Sequence, residues 1–186
     1  MRRADAELRA ELVQEGALFG GYSERMAAVH QAHNARLREI LEEYGWPGRR
    51  LVGEDGAAAA WLLLQHAVLD PDLMRTALVR VEQATFTGDC EAKHLALLID
   101  RIRTLEGRLQ LYGTQHDWDA TGQLSPLPIE APEGVDERRR RMGLESLAEN
   151  TSRLRAQAVA EGEHPPTDYH ERQRDIERWA QSVGWR

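Results

Sequence analysis

The stretch Ala57–Val68, AAAAWLLLQHAV, is apolar around nearly the whole circumference of any helix it forms. Such a helix needs apolar neighbours on several sides, which points to the centre of a helical bundle rather than its surface. Its unbroken apolar run, Ala57–Leu64, is eight residues and too short to cross a bilayer. The expected fold is therefore all-α: a compact helical bundle with a long ordered loop or short two-stranded element around residues 108–132.

The flanking segments fit that frame. Residues 2–19 place Leu8, Leu12 and Phe19 near one helical face, and Gly20-Gly21 breaks the pattern. Ser23 is a candidate N-cap for a helix carrying Met26, Val29, Leu37, Ile40 and Leu41. Pro47 restricts Trp46 to an extended conformation, so that helix should end near Tyr44-Gly45. Asp70-Pro71 opens the next helix, with Asp as cap and Pro at the first helical position, and it should run to about Thr85. Asp89 is a candidate cap for CEAKHLALLIDRIRTLEG, which stops near Gly107. The segment TGQLSPLPIEAPEG is punctuated by glycine and proline and reads as an ordered loop. Residues 135–149 read as helix broken at Gly143, and residues 167–183 as a terminal helix with Ile176, Trp179 and Val183 as a sparse apolar stripe. This divides the chain into a bundle domain, residues 1–150, and a helical extension, residues 151–186, packed on it.

Charge and cysteine content narrow the function classes. The net charge of −7 disfavours nucleic acid and anionic membranes as partners. Lys93 is the only lysine, and the run Arg138–Arg141 is the one local exception to the acidic balance. On a helix those four side chains spread around the circumference, some to pair with acidic groups and some to close over an anion. The N-terminal segment has no apolar core of signal-peptide type, and Cys90, alone, forms no internal disulfide. Both fit a cytoplasmic protein.

Several polar residues sit where a structural protein rarely puts them. Gln65 and His66 follow the most apolar run in the chain. A buried amide and imidazole must be hydrogen-bonded, and His66 is the candidate proton carrier near neutral pH; the alternative is a satisfied core histidine. Asp100 follows LALLI directly and is the candidate carboxylate to orient an imidazole, or else a partner for an arginine. Tyr112, Thr114 and Gln115 flank Gly113, with His116 next, and resemble the lining of a pocket for a small polar molecule. Arg101 and Arg139 are candidates to counter a negative group on it.

Metal and cofactor signatures are weak. Glu91/His94 and Glu161/His164 form ExxH pairs, but two-metal bundles also need glutamates from two further helices. His30 and Asn34 share a helical face and His33 lies on another. HExxH, cysteine pairs, GxGxxG, GxxxxGK[ST] and GxSxG are missing from the sequence, so no metal and no cofactor is expected. Cys90 near a helix N-terminus is a candidate thiolate without an assigned base.

Gly45-Trp46-Pro47, Val52-Gly53 before the alanine run, Trp61, Gln65-His66-Ala67, Asp70-Pro71, Asp100-Arg101, Tyr112-Gly113-Thr114-Gln115 and Pro128-Ile129 together resemble an uncharacterised bacterial helical family. It is known as a domain of unknown function, serial number 6624, and the resemblance covers about residues 25–148. It implies a helical fold and no particular activity. Glu130 supplies the acidic residue the family places after Pro-Ile, while Val68 stands where the family tends to have an acidic residue.

Three readings follow. In the first, a small metal-independent enzyme does acid–base chemistry, hydrolase-like, on a small polar substrate: His66 and Asp100 are catalytic, and Gln65, Arg101, Tyr112, Thr114, Gln115 and Arg139 bind the substrate. In the second, a non-catalytic accessory protein uses a pocket or an apolar patch, expected near Trp179 and Trp185 on the terminal helix, to hold a ligand or a protein partner. In the third, the polar residues are a buried structural network.

Overall fold

The computed structural model describes residues 24–186 and the single position Glu11; the helix expected over 2–19 and the Ser23 cap lie outside the described residues. The described residues form seven α-helices and a two-stranded antiparallel sheet, a mainly α fold. The chain divides into two compact units, residues 1–91 and 92–186. The boundary expected at 150/151 falls inside the second unit, within a helix.

The first unit contains α1 (Glu24–Tyr44), α2 (Arg49–His66) and α3 (Pro71–Phe86). Helix α1 ends where Pro47 said it must. Its buried positions Met26, His30, Asn34, Leu37 and Leu41 lie three or four residues apart, so one stripe faces inward, with two polar side chains in its middle. Asp70 caps α3 as expected, accepting from Leu73 N at 3.0 Å. The same carboxylate receives Arg38 Nη2 at 2.8 Å and so ties α1 to the start of α3.

Helix α2 departs from expectation. Its second half is core, with Ala60, Trp61, Leu63 and Leu64 buried. Its first half is not: Leu51 and Val52 are 52% and 42% exposed, and Ala58 is exposed. The apolar stretch Ala57–Val68 is thus mostly enclosed, with only Ala58 exposed; the helix begins eight residues earlier, at Arg49, and that added part borders an open groove. Gly53, at φ 71° and ψ 177°, breaks the helical path between these parts, a conformation only glycine adopts readily. The detached first turn is held from outside the helix. Asp89 Oδ1 accepts from Arg50 N at 2.9 Å, and Arg49 and Arg50 donate to the Gly88 and Thr87 carbonyls. Asp89 therefore caps α2 across 39 residues rather than the helix that follows it.

The second unit contains α4 (Ala92–Leu105), β1 (His116–Trp118), β2 (Leu124–Pro126), a 3-10 turn (Pro132–Gly134), α5 (Val135–Arg141), α6 (Leu147–Ala160) and α7 (Tyr169–Val183). The two strands pair antiparallel with Asp117 opposite Ser125. Asp119 organises their turn: its carboxylate accepts from the Thr121 and Gln123 amides and the Thr121 and Ser125 hydroxyls. Those hydroxyl donors first, then the amides, hold it well below the usual carboxylate range. Helix α6 begins with a complete Ser146/Glu149 capping box. It runs through to Ala160. Among the described residues no helix is long and apolar enough to cross a membrane.

Candidate functional site

Asp100 is fully buried, 0% exposed, on the inner face of α4. Its carboxylate receives the amides of Leu111 at 2.7 Å, Tyr112 at 3.1 Å and Thr114 at 3.0 Å, and the Thr114 hydroxyl at 3.0 Å. A buried carboxylate needs such compensation, and here the loop following α4 supplies it. From the other side comes Arg139 on α5, 1% exposed: Nε donates to Glu145 O at 2.7 Å, and Nη1 to Tyr112 O at 2.6 Å and Gly113 O at 3.2 Å. Asp100 thus takes the donors of the 111–114 peptides, and Arg139 takes their acceptors. Gln110, also fully buried, closes the loop by accepting from Gln115 N and donating to the carbonyls of Gln115 and Leu127.

Gly113 completes the turn at φ 65°, and a Cβ there would stand 2.7 Å from Leu147 Cδ1 and 2.9 Å from Ile129 Cδ1. The left-handed backbone is what favours glycine; the two methyl groups are side-chain ends that could give way. Thr114 and Gln115 meet each other, Gln115 Nε2 donating to Thr114 Oγ1 at 3.0 Å. The Tyr112 side chain is partly exposed, and burial, then the Asp100 charge, raises its hydroxyl above the ordinary range. Asp100, Tyr112, Thr114, Gln115 and Arg139, picked separately in the sequence, are therefore one assembly. Its chemistry differs from that expected of two members. The hydrogen bonds of Asp100 and Arg139 go mainly to the backbone: Asp100 is bound to loop amides rather than to an imidazole, and Arg139 to carbonyls. Arg101, next on α4, is lowered by burial.

The arginine run divides as a helix dictates. Arg138 joins Arg139 inward, donating to the carbonyls of Leu111, Glu130 and Ala131, while Arg140 and Arg141 turn outward onto Glu137.

His116, at the foot of β1, meets Thr151 Oγ1 through Nε2 at 3.0 Å. Burial, reinforced by Arg139, Arg155 and Arg153, pushes it down to about 4. It is therefore neutral in the folded protein at pH 7, whereas an unfolded histidine titrates near 6.5. Acid favours the chain that binds the proton, so stability is present above about 6.5 and is lost as pH falls toward 4. His116→Gln is expected to flatten this slope, so that the urea midpoint changes less between pH 7 and pH 4.5 than in the parent. Equal slopes would show that His116 does not govern it.

In the first unit, Gln65 and His66 sit half-buried at the end of α2. The imidazole of His66 lies against that of His30, ring centroids 5.0 Å apart and planes tilted by 31°. His30 is buried on α1, with His33 and Asn34 buried beside it. Sequence reasoning grouped these three only as metal candidates and missed the pairing. The signal was present: His30 and Asn34 interrupt the apolar stripe Met26–Leu37–Leu41. Among the described residues no group of three or more His, Cys, Asp or Glu side chains is placed to hold a metal ion. Cys90 is buried, and that burial pushes its thiol up rather than toward a thiolate.

The fold and these two polar centres define a mainly α-helical protein with an aspartate-centred loop in one unit and an imidazole pair in the other. The chain belongs to the family of unknown function DUF6624, whose model matches residues 1–160. No curated protein and no solved structure matches it.

Proposed function

We propose that this protein is a small enzyme doing acid–base chemistry, hydrolase-like, on a small polar substrate, with His66 as proton carrier, His30 as its partner imidazole and Gln65 as a substrate contact. The carrying observation is the 5.0 Å approach of a half-buried imidazole to a buried one. An imidazole can donate at one ring nitrogen and accept at the other, so two imidazoles in contact offer a path for handing on a proton. The buried polar group costs desolvation that apolar side chains at the same stripe positions would avoid. A use beyond packing offsets that cost. Asp100 has no part in this proton transfer; it shapes the 111–115 loop. A cytoplasmic setting suits a single buried thiol.

The test is a screen of ester, amide and phosphoester substrates with parent, His66→Ala and His30→Ala proteins. Loss of a positioned general acid or base lowers kcat/KM about 100- to 10,000-fold. His66→Ala is expected at the large end, with the helical circular dichroism unchanged. Full turnover by folded His66→Ala protein would end the proposal.

A second reading, a non-catalytic binding protein, is favoured by the apolar groove in the first unit. Its volume is about 460 Å³, within the range of small-ligand sites. Leu37, Ile40 and Tyr44 of α1 face Leu51, Val52 and Leu63 of α2 across it. This relocates the apolar patch: Trp185 is buried at 3% exposure, so the terminal helix does not present it.

A further inference from the structure

Helix α7 lies beyond the residues the family model matches, yet it is seated on the second unit. The way it is held is unusual. Along the helix itself only Ala180 is buried, and most of its surface is exposed. The attachment concentrates elsewhere. Arg172 Nη2 pairs with Asp117 Oδ1 of β1 at 2.9 Å. After Gly184 ends the helix in a left-handed turn, Trp185 is buried and Arg186 reaches the end of α4. There Nε donates to Leu105 O and Nη2 to Thr104 O, both at 3.1 Å, while Nη1 pairs with Glu177 of α7. Thr104 and Leu105 are last-turn residues of α4; the Thr104 carbonyl also accepts from Gly107 N at 3.0 Å, and such last-turn carbonyls lack a partner inside the helix. A guanidinium suits them both as donor and as positive charge at a helix C-terminus. Gly107 makes the seat possible, since a Cβ there would lie 3.0 Å from Arg186 Nε.

Between these anchors the fit is poor. A cavity of about 200 Å³ remains among Leu109, Asp117, Leu127, Gln173, Ile176 and Arg186. It is a recess half open to solvent, so α7 covers this face only in part. The connection from α6, with Glu161 to Pro165 exposed, adds little hold.

We propose that residues 161–186 are a releasable strap: a built-in helical ligand for a docking face formed by the end of α4 and the β-hairpin, locked by Trp185 and Arg186. Opening the latch frees that face while the helices beneath stay folded. The inference is independent of the imidazole pair and of any enzymatic activity.

Amide hydrogen exchange on the full chain tests it. In the parent, α7 is expected to exchange at least about tenfold faster than α4, as a separately opening unit does. In Arg186→Gln protein, α7 exchange should rise about a further tenfold with α4 and α6 unchanged. A synthetic peptide of residues 167–186 should then bind this variant and slow exchange over residues 104–109 and 116–128. Exchange of α7 and α4 at one common rate, acceleration of both by Arg186→Gln, or failure of the peptide to protect the face would each overturn the proposal. Should Arg186→Gln not fold, Arg186→Lys, whose single ammonium cannot donate to both carbonyls from fixed positions, is read the same way.

Discussion

Asp100→Ala is expected to lose about 3–5 kcal/mol of stability, the usual cost of stripping a buried polar group of its charged partner. The substitution leaves the amides of Leu111, Tyr112 and Thr114 buried without the acceptor they share. Domains of this size are stable by only about 5–15 kcal/mol, so the variant is near the edge of folding at 37 °C. A thermal melt followed by circular dichroism should show a Tm lower by about 10–15 °C. Asp100→Asn keeps the shape and one acceptor oxygen but turns an NH2 toward amide donors, and it should fall between parent and alanine. A Tm within two degrees or so of the parent for Asp100→Ala would mean that the loop is held by something else.

Arg139→Met is expected to cost about 2–4 kcal/mol, because it leaves three carbonyls facing an apolar side chain. Arg139→Lys should recover only part of this. An ammonium is a compact point charge and cannot reach Glu145 O on one side and the Tyr112 and Gly113 carbonyls on the other from fixed positions. The two residues grip the same peptides from opposite sides, so their effects should not add. Once Asp100 is lost, Arg139 has a disordered loop to hold. In a double-mutant cycle with urea denaturation, Asp100→Asn plus Arg139→Met is expected to cost at least about 1 kcal/mol less than the sum of the single changes. Additivity within error would show that the carboxylate and guanidinium act on separate structures.

The element types were readable where local physics decides them. Asp70-Pro71 starts a helix because a carboxylate cap and a fixed proline φ both act within one turn, and Pro47 ends α1 for an equally local reason. The β-hairpin was legible as a punctuated loop because its glycines and prolines have few other uses. Three features were not legible, each for a long-range reason. Asp89 looked like the cap of the next helix, but the amide it serves is 39 residues earlier. The alanine run is enclosed much as its composition implies, but nothing local says that the helix starts eight residues before it, with a first turn set off by Gly53 and bordering a groove. Of the candidate site, Asp100, read as catalytic, and Tyr112, Thr114, Gln115 and Arg139, read as substrate-binding, lie together in one hydrogen-bonded assembly. The sequence could not show that their partners are each other's backbones, since a buried carboxylate on loop amides and one on an imidazole call for the same residue type. His30 was passed over because it was weighed only for metal, although a histidine on an apolar stripe asks the same question as His66.

The contact between Asp89 and the start of α2 also bears on the order in which this chain acquires its structure. The first turn of α2 has no side-chain cap of its own at Gly48 and is separated from the helix body by Gly53. Its hydrogen-bonding partners arrive only with residues 87–89, after α3 has been made and brought alongside. During synthesis from the N-terminus, Arg49–Val52 is therefore expected to coil after the Ala57–Leu64 body; Leu51 and Val52 are exposed before that step and stay partly so after it. The same stretch becomes a rim of the apolar groove in the first unit, so a molecule that binds early there would act on folding as much as on the finished protein.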